Sequence, residues 1–185
     1  LLIATGATPI KPDIPGIDLP GVMALKNLAH GRAIKQFIDQ WDVRKTVIIG
    51  MGYVALEMCE ALRERGITVD MVKPREKFLP WMEDHLSGQV KAEVAAKGVG
   101  IHAGHAIDKI EKASGRLAVI GPDLNLAADL VLVAIGIAPL SELAARAGLQ
   151  TSVAGAIAVD AGQRTSTKNI YAAGECADAC HGVTG

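Results

Sequence analysis

The chain has 185 residues and a formal net charge of −1, and half of its residues are hydrophobic. That length holds one sizeable core, or one domain with part of another, and the apolar share excludes a disordered chain. No run of one sign attracts nucleic acid or an anionic bilayer, and no apolar stretch approaches the roughly 20 residues of a membrane span.

The chain opens on Leu1-Leu2-Ile3-Ala4 rather than on Met. This predicts a strand already in progress, with no charged leader before it, and so a section of a longer protein. The three cysteines, Cys59, Cys176 and Cys180, fit neither a zinc ribbon nor a disulfide framework. No metal site is expected, and free thiols suit a reducing cytoplasm.

The first strand ends at Gly6. Residues 9 to 21 then carry four prolines and two glycines in 13 residues, which reads as an extended linker and a domain boundary. A helix is expected over 28–40. Strand 45–49, helix 53–65 and strand 67–72 form a β-α-β unit, and a further helix spans 83–97. Between 99 and 134 the pattern gives a strand, a small antiparallel meander around 106–120, and a buried strand at 130–135. A short helix at 141–147 and strands at 155–160 and 169–173 complete the chain. Four apolar strands end in glycine, at Gly6, Gly50, Gly136 and Gly174. Continuous apolar runs suit strands buried on both faces, and open α/β sheets bind ligands at the carboxyl ends of such strands. The pattern predicts a doubly wound, Rossmann-like α/β fold with a parallel sheet, a small antiparallel meander and two nucleotide sites.

The turn Gly50-Met51-Gly52-Tyr53-Val54-Ala55 joins a strand to a helix, as a dinucleotide fingerprint does. Gly50 permits the tight turn, Gly52 removes a Cβ from the path of a diphosphate, and Ala55 lets helix and strand pack closely. The helix N-terminus offers free N–H groups to the anion. A turn of the same shape that binds nothing is the alternative. Glu57 lies early in the helix, where an acid is favourable to the helix dipole without any further role. The second strand of the unit ends at Lys73, with Arg75 beside it, where a ribose-binding acid otherwise stands; Asp70 falls mid-strand. Cations there pair with a 2′-phosphate, favouring NADP over NAD; solvated loop charges are the alternative.

Four motifs follow one another: Ala4-Thr5-Gly6 with Pro9, the Gly50–Ala55 turn with Glu57, Ala134-Ile135-Gly136 with Pro139, and Arg164-Thr165-Ser166 followed by Ile170 to Glu175. In this order they resemble the FAD-dependent pyridine nucleotide-disulfide oxidoreductase superfamily along the whole chain. The ending Ala173-Gly174-Glu175-Cys176-Ala177, with His181 and Val183-Thr184-Gly185, is most similar to the coenzyme A-disulfide reductase and NADH oxidase branch.

The resemblance implies a FAD/NAD(P)-binding fold. Residues 1–25 would be a FAD-domain strand and linker, 26–140 the NAD(P)H-binding domain, and 141–185 the return segment of the FAD domain. Thr5 and Gly6 would lie beside the flavin nucleotide. Gly174 and Glu175 would meet its ribityl–diphosphate chain, where family members carry Asp. Tyr53 matches a gate over the nicotinamide pocket, Glu57 an acid beside the reacting rings, and Gly136 and Ile137 the floor under the nicotinamide. The implied activity is hydride transfer from NAD(P)H to FAD and onward to a disulfide, peroxide or oxygen. A redox cysteine upstream of Leu1 would pass the electrons on, rather than Cys59, Cys176 or Cys180. The implied parent is a cytoplasmic homodimer, paired through a domain beyond Gly185, with a small-molecule substrate. Two other readings are a flavin reductase for an iron–sulfur partner of the rubredoxin or nitrite reductase type, and a nucleotide sensor without turnover.

Overall fold

The computed structural model describes residues 1–178, so Cys180, His181 and Val183-Thr184-Gly185 lie outside the described residues. In chain order the elements run β1 (Leu2–Ile3), β2 (Ala7–Pro9), β3 (Val22–Ala24), α1 (Leu28–Gln40), β4 (Lys45–Ile49), α2 (Tyr53–Glu64), β5 (Thr68–Lys73), α3 (Asp84–Ala96) and β6 (Gly100–Ala103). They continue with β7 (Lys109–Ala113), β8 (Arg116–Gly121), β9 (Leu124–Ala128), β10 (Leu130–Val133), β11 (Ile137–Pro139), α4 (Glu142–Arg146), β12 (Ile157–Ala158), β13 (Tyr171–Ala172) and β14 (Ala177–Asp178). The chain forms two compact units: Ile10–Gly136, and Leu1–Pro9 together with the chain from Ile137 onward.

The larger unit is built on a five-stranded sheet, order β3-β10-β4-β5-β6, parallel throughout. Strand β10 and the Val47-Ile48-Ile49 end of β4 are apolar without interruption because both faces are covered. Ile48, Met71, Leu130 and Leu132 join Ile34 of α1 and Ala55, Cys59 and Leu62 of α2 in one core. Val47, Ile49, Val72, Val131 and Val133 form a second core with Ile110, Leu117, Val119, Leu124 and Ala128. Helices therefore cover one face, and the antiparallel sheet β7-β8-β9 covers the other. This corrects the doubly wound expectation, since the meander takes the face where further helices would pack. The meander also runs past residue 120. Gly121 pairs with Leu124, so Pro122-Asp123 makes a hairpin turn that carries the meander into a third strand.

The proline-rich stretch is not a free linker. Ile14, Ile17 and Leu19 pack against the meander core, and Pro15 O accepts from Ile110 N at 2.8 Å. Gly16 is required there: its φ is +86° and an added Cβ would lie 1.8 Å from Ile110 O. The compact units divide at 9/10 and 136/137.

In the smaller unit β1 pairs in parallel with β13, β2 runs antiparallel to β11, and β12 pairs in parallel with β14. Ile3, Ala144, Leu149, Ile157, Ala172 and Cys176 form its core. Among the described residues no helix is long and apolar enough to cross a membrane.

One charged group sits inside the large sheet. The Asp70 carboxylate lies 2.9 Å from Lys45 Nζ and 2.9 Å from His102 Nε2. A Cβ on Gly100, directly across the pair, would fall 1.9 Å from Asp70 Oδ1, so glycine makes room for the carboxylate. Burial works against the ionised form, but the contacts with Lys45 and His102 outweigh it and hold the carboxyl below its ordinary range. A pKa lower in the folded than in the unfolded chain gives stability that is complete above the unfolded value, about 3.9 for Asp, and lost as pH falls through the folded value. Asp70→Asn is therefore expected to cost about 1 kcal/mol at pH 7, with the gap to the wild type narrowing below pH ~4. Urea unfolding of both proteins at pH 7 and pH 3 checks this; a gap of constant size would count against it.

Candidate functional site

Three parallel strands end together in the larger unit. Gly50 N donates to Val72 O at 2.8 Å, and Ala134 N donates to Ile49 O at 2.8 Å. The ends of β4, β5 and β10 thus converge on one turn. Gly50 has φ +125°, and an added Cβ would lie 2.1 Å from the Ala134 carbonyl oxygen. The fold itself demands glycine at this position.

Gly52 differs. Its φ of −95° and ψ of −173° are open to any residue. The nearest atom to an added Cβ is Trp81 Cη2 at 3.9 Å, an ordinary van der Waals separation. Nothing among the described residues requires glycine there, which leaves the space beside its Cα available to a ligand.

Gly52 is the N-cap of α2, and no side chain caps that end. The first turn of the helix also holds no acid. Its N–H groups and partial positive charge therefore face outward unneutralised. Ala55 is buried against the sheet, whereas Tyr53 and Val54 are exposed. Glu57 lies one turn beyond Tyr53, and both line a groove of about 630 Å³ between α2 and α3, with Leu56, Val90 and Val94. The groove's apolar floor abuts Cys59, whose thiol pKa is pushed up by burial.

At the end of β5 the two cations behave differently. Lys73 Nζ donates to Phe78 O at 2.9 Å. Burial and the neighbouring Arg75 charge push the Lys73 pKa below its usual value. Arg75 is exposed. Gly136, at φ +128°, closes the larger unit, and its carbonyl accepts from Ile10 N at 3.0 Å.

The remaining predicted residues lie in the smaller unit. Ile137 opens β11. Thr5-Gly6 and Gly174-Glu175 follow the carboxyl ends of the paired strands β1 and β13. Gly6 has φ +71° and Gly174 +83°, and among the described residues no atom lies within 4 Å of a Cβ added to either. The Thr5 hydroxyl donates to the Leu140 carbonyl. Cys176 is buried beside them; hydrogen bonds from Gly6 and Thr5 outweigh burial and lower its thiol pKa.

Gly50, Gly52, Tyr53, Val54, Ala55, Glu57 and the Lys73–Arg75 strand end are thus gathered in one unit, and Thr5, Gly6, Gly174 and Glu175 in the other. Sequence reasoning missed Trp81. It reaches the glycine turn from the loop after β5, and its one sequence signal is rarity, as one of two tryptophans.

A family model for pyridine nucleotide-disulphide oxidoreductases matches residues 1–184. The chain is 34% identical to an NAD(P)H sulfur oxidoreductase (CoA-dependent) of Pyrococcus furiosus, covering 100% of this chain and 42% of that protein. It superposes on the structure of reduced Bacillus anthracis CoADR-RHD with a TM-score of 0.89 at 32% identity, covering 95% of this chain and 32% of the other. A ferredoxin reductase from Rhodopseudomonas palustris gives the same TM-score, 0.89, at 31% identity, over 96% of this chain and 44% of that one. The chain therefore spans less than half the length of each.

The two glycines of the turn are expected to respond oppositely to alanine. Gly50→Ala meets a backbone oxygen from a left-handed φ, and should lower the unfolding free energy by about 1–3 kcal/mol or more. Gly52→Ala should change it by no more than about 1 kcal/mol, the difference between glycine and alanine at an N-cap. Denaturant titration of the two variants measures both effects; equal losses would remove the distinction drawn between them.

Proposed function

The chain belongs to the pyridine nucleotide-disulphide oxidoreductase family, and from that premise we propose that it is the NAD(P)H-binding part of a longer FAD-dependent oxidoreductase. In this reading the enzyme moves a hydride from NAD(P)H to FAD and passes electrons on to a disulfide, a peroxide or oxygen. The larger unit binds NAD(P)H, and the smaller unit contributes to the flavin domain. The observation that carries the reading is Gly52: its missing side chain answers to no close contact among the described residues, and it lies at an uncapped helix N-terminus.

Each residue then has a task. Gly50 sets the turn, Gly52 admits the diphosphate, and the first N–H groups of α2 hold its charge. Tyr53 covers the nicotinamide, Glu57 lies beside the reacting rings, and Gly136 and Ile137 lie under the nicotinamide end. Thr5, Gly6, Gly174 and Glu175 fit a flavin nucleotide, because both glycines leave open space at strand carboxyl ends. FAD, when bound, supplies the redox chemistry, while these residues supply position and field. Cys59 and Cys176 are both buried free thiols, which fits a cytoplasmic protein whose redox cysteine lies outside this sequence. The parent is read as a homodimer joined through a segment that this sequence does not include.

A second reading is a flavin reductase serving an iron–sulfur partner. It is favoured by the equal likeness to the ferredoxin reductase. It needs no redox cysteine, so thiol titration of the reduced full-length enzyme separates the two.

Calorimetry on the full-length protein should show NADPH binding about 10-fold tighter than NADH, the worth of about 1.4 kcal/mol from a charge-assisted contact to an exposed guanidinium. Arg75→Ala should erase the preference. Equal affinities in the wild type would leave Lys73 as a cation tied to Phe78 O and Arg75 as a solvated loop charge. Gly52→Ala should weaken both nucleotides more than 10-fold, since a methyl group would then occupy the diphosphate's path.

Glu57→Gln should slow flavin reduction more than it weakens nucleotide binding. The side chain acts near the reacting ring, whereas the glycine turn holds the remote diphosphate. Stopped-flow reduction by NAD(P)H measures the rate, and an unchanged rate would leave Glu57 as a helix-dipole acid.

A further inference from the structure

The loop between β5 and α3 buries Phe78 and Leu79 in the helix-side core but leaves Trp81 half exposed. Its indole lies across the start of α2 instead. Nε1 donates to the Tyr53 hydroxyl at 2.9 Å. The ring centroids are 5.3 Å apart at an interplanar angle of 47°, the tilted approach that aromatic quadrupoles favour. The same indole is the nearest group to the open side of Gly52, 3.9 Å from where its Cβ would stand. The second glycine of the turn, the first helical residue and a loop aromatic therefore border one space. Neither ring is anchored in the core: Tyr53 is 63% exposed and Trp81 52%. Each finds its polar partner in the other.

We propose that Trp81 is a positioning residue of the nucleotide site, a latch whose indole N–H holds the Tyr53 phenol in a closed position beside the glycine turn. A diphosphate packed against Gly52 takes the volume that the indole edge borders, and a nicotinamide nucleotide has to displace the phenol to pass along α2. The pair and the nucleotide compete for one space. Two exposed rings joined by one hydrogen bond make a closure weak enough to open on binding. The bond also keeps the hydroxyl of Tyr53 satisfied while the ring is closed. Because binding must first break this contact, the apparent affinity is reduced by the fraction of molecules in which the latch is closed.

The inference rests on the nucleotide reading of the turn, and the test separates the two. Calorimetry with NADPH and with NADH is run on the full-length protein, on Trp81→Phe, on Tyr53→Phe and on the double variant. Trp81→Phe keeps an aromatic ring and removes the donor, and Tyr53→Phe removes the acceptor. Each single change is expected to tighten nucleotide binding about 2- to 12-fold, the worth of one net hydrogen bond. The double variant is expected to bind no tighter than either single one, because both remove the same contact. A wild type that binds neither nucleotide would overturn the nucleotide reading and the latch with it. A wild type that binds, with Trp81→Phe unchanged or weakened, or with effects that add in the double variant, would overturn the latch alone and leave Trp81 a packing residue.

Discussion

The contact between the Gly50 backbone and the Ala134 carbonyl is the constraint on which the rest of the larger unit depends. Strands β4 and β10 run in register up to Ile49 and Val133. One residue later their backbones touch, leaving no room for even one methyl group. On its other side Gly50 is tied to β5 through Val72. The tip of the turn is thereby pinned between two neighbouring strands. Since α2 begins three residues on and buries Ala55, Cys59 and Leu62 against the sheet, its axis and the direction of its N-terminus follow from that pinning. A larger residue at Gly50 would re-aim the helix, and the field at its end would move with it.

The same economy governs how the chain is divided. The larger unit is one continuous stretch, and its two ends meet through the Ile10 N to Gly136 O hydrogen bond. A domain whose termini lie together can be inserted into another without disturbing either core. The host segments then have to find one another across a long separation in sequence. They do so by parallel pairing of β1 with β13, which puts Ile3 opposite Ala172. Thr5-Gly6 and Gly174-Glu175 become neighbours at one sheet end by that register alone.

Much of this was legible because buried parallel strands write themselves as uninterrupted apolar runs. Val47-Ile48-Ile49 and Val131-Leu132-Val133 stand out for that reason, and the helices between them follow from length and composition. What escaped were features made by partners distant in sequence. The segment from 9 to 21 has the composition of a linker, yet Ile14, Ile17 and Leu19 find an apolar face on a meander nearly a hundred residues on. Strands β2 and β11 are only three residues each and carry no periodicity to read. The third meander strand hid behind Gly121-Pro122, which a local reading takes as a break. Lys73 was visible as a charge, but its bond to Phe78 O belongs to the path of the returning loop. Trp81 likewise acquires its meaning only when that loop folds back over the turn.

The alternation of β5 decides the electrostatics at the turn. Val69 and Met71 belong to the core beneath the helices, whereas Val72 belongs to the core beneath the meander. Successive side chains of a strand point to opposite faces, so Asp70 shares the face of Val72. There Lys45 and His102 hold its carboxylate. The one acid of this strand is thereby committed to the side away from α2. Lys73, on the helix side, is a cation, and Arg75 adds a second. Glu76, the nearest acid in sequence, packs its stem beside Gly104. The uncapped end of α2 contributes further positive potential and holds no acid in its first turn. A ribose hydroxyl offers such a field only a dipole. A 2′-phosphate offers it charge, and with it hydrogen bonds roughly twice as strong as neutral ones. The proposed preference for the phosphorylated nucleotide thus depends on which face of β5 its acid occupies, and one residue of register in that strand would reverse it.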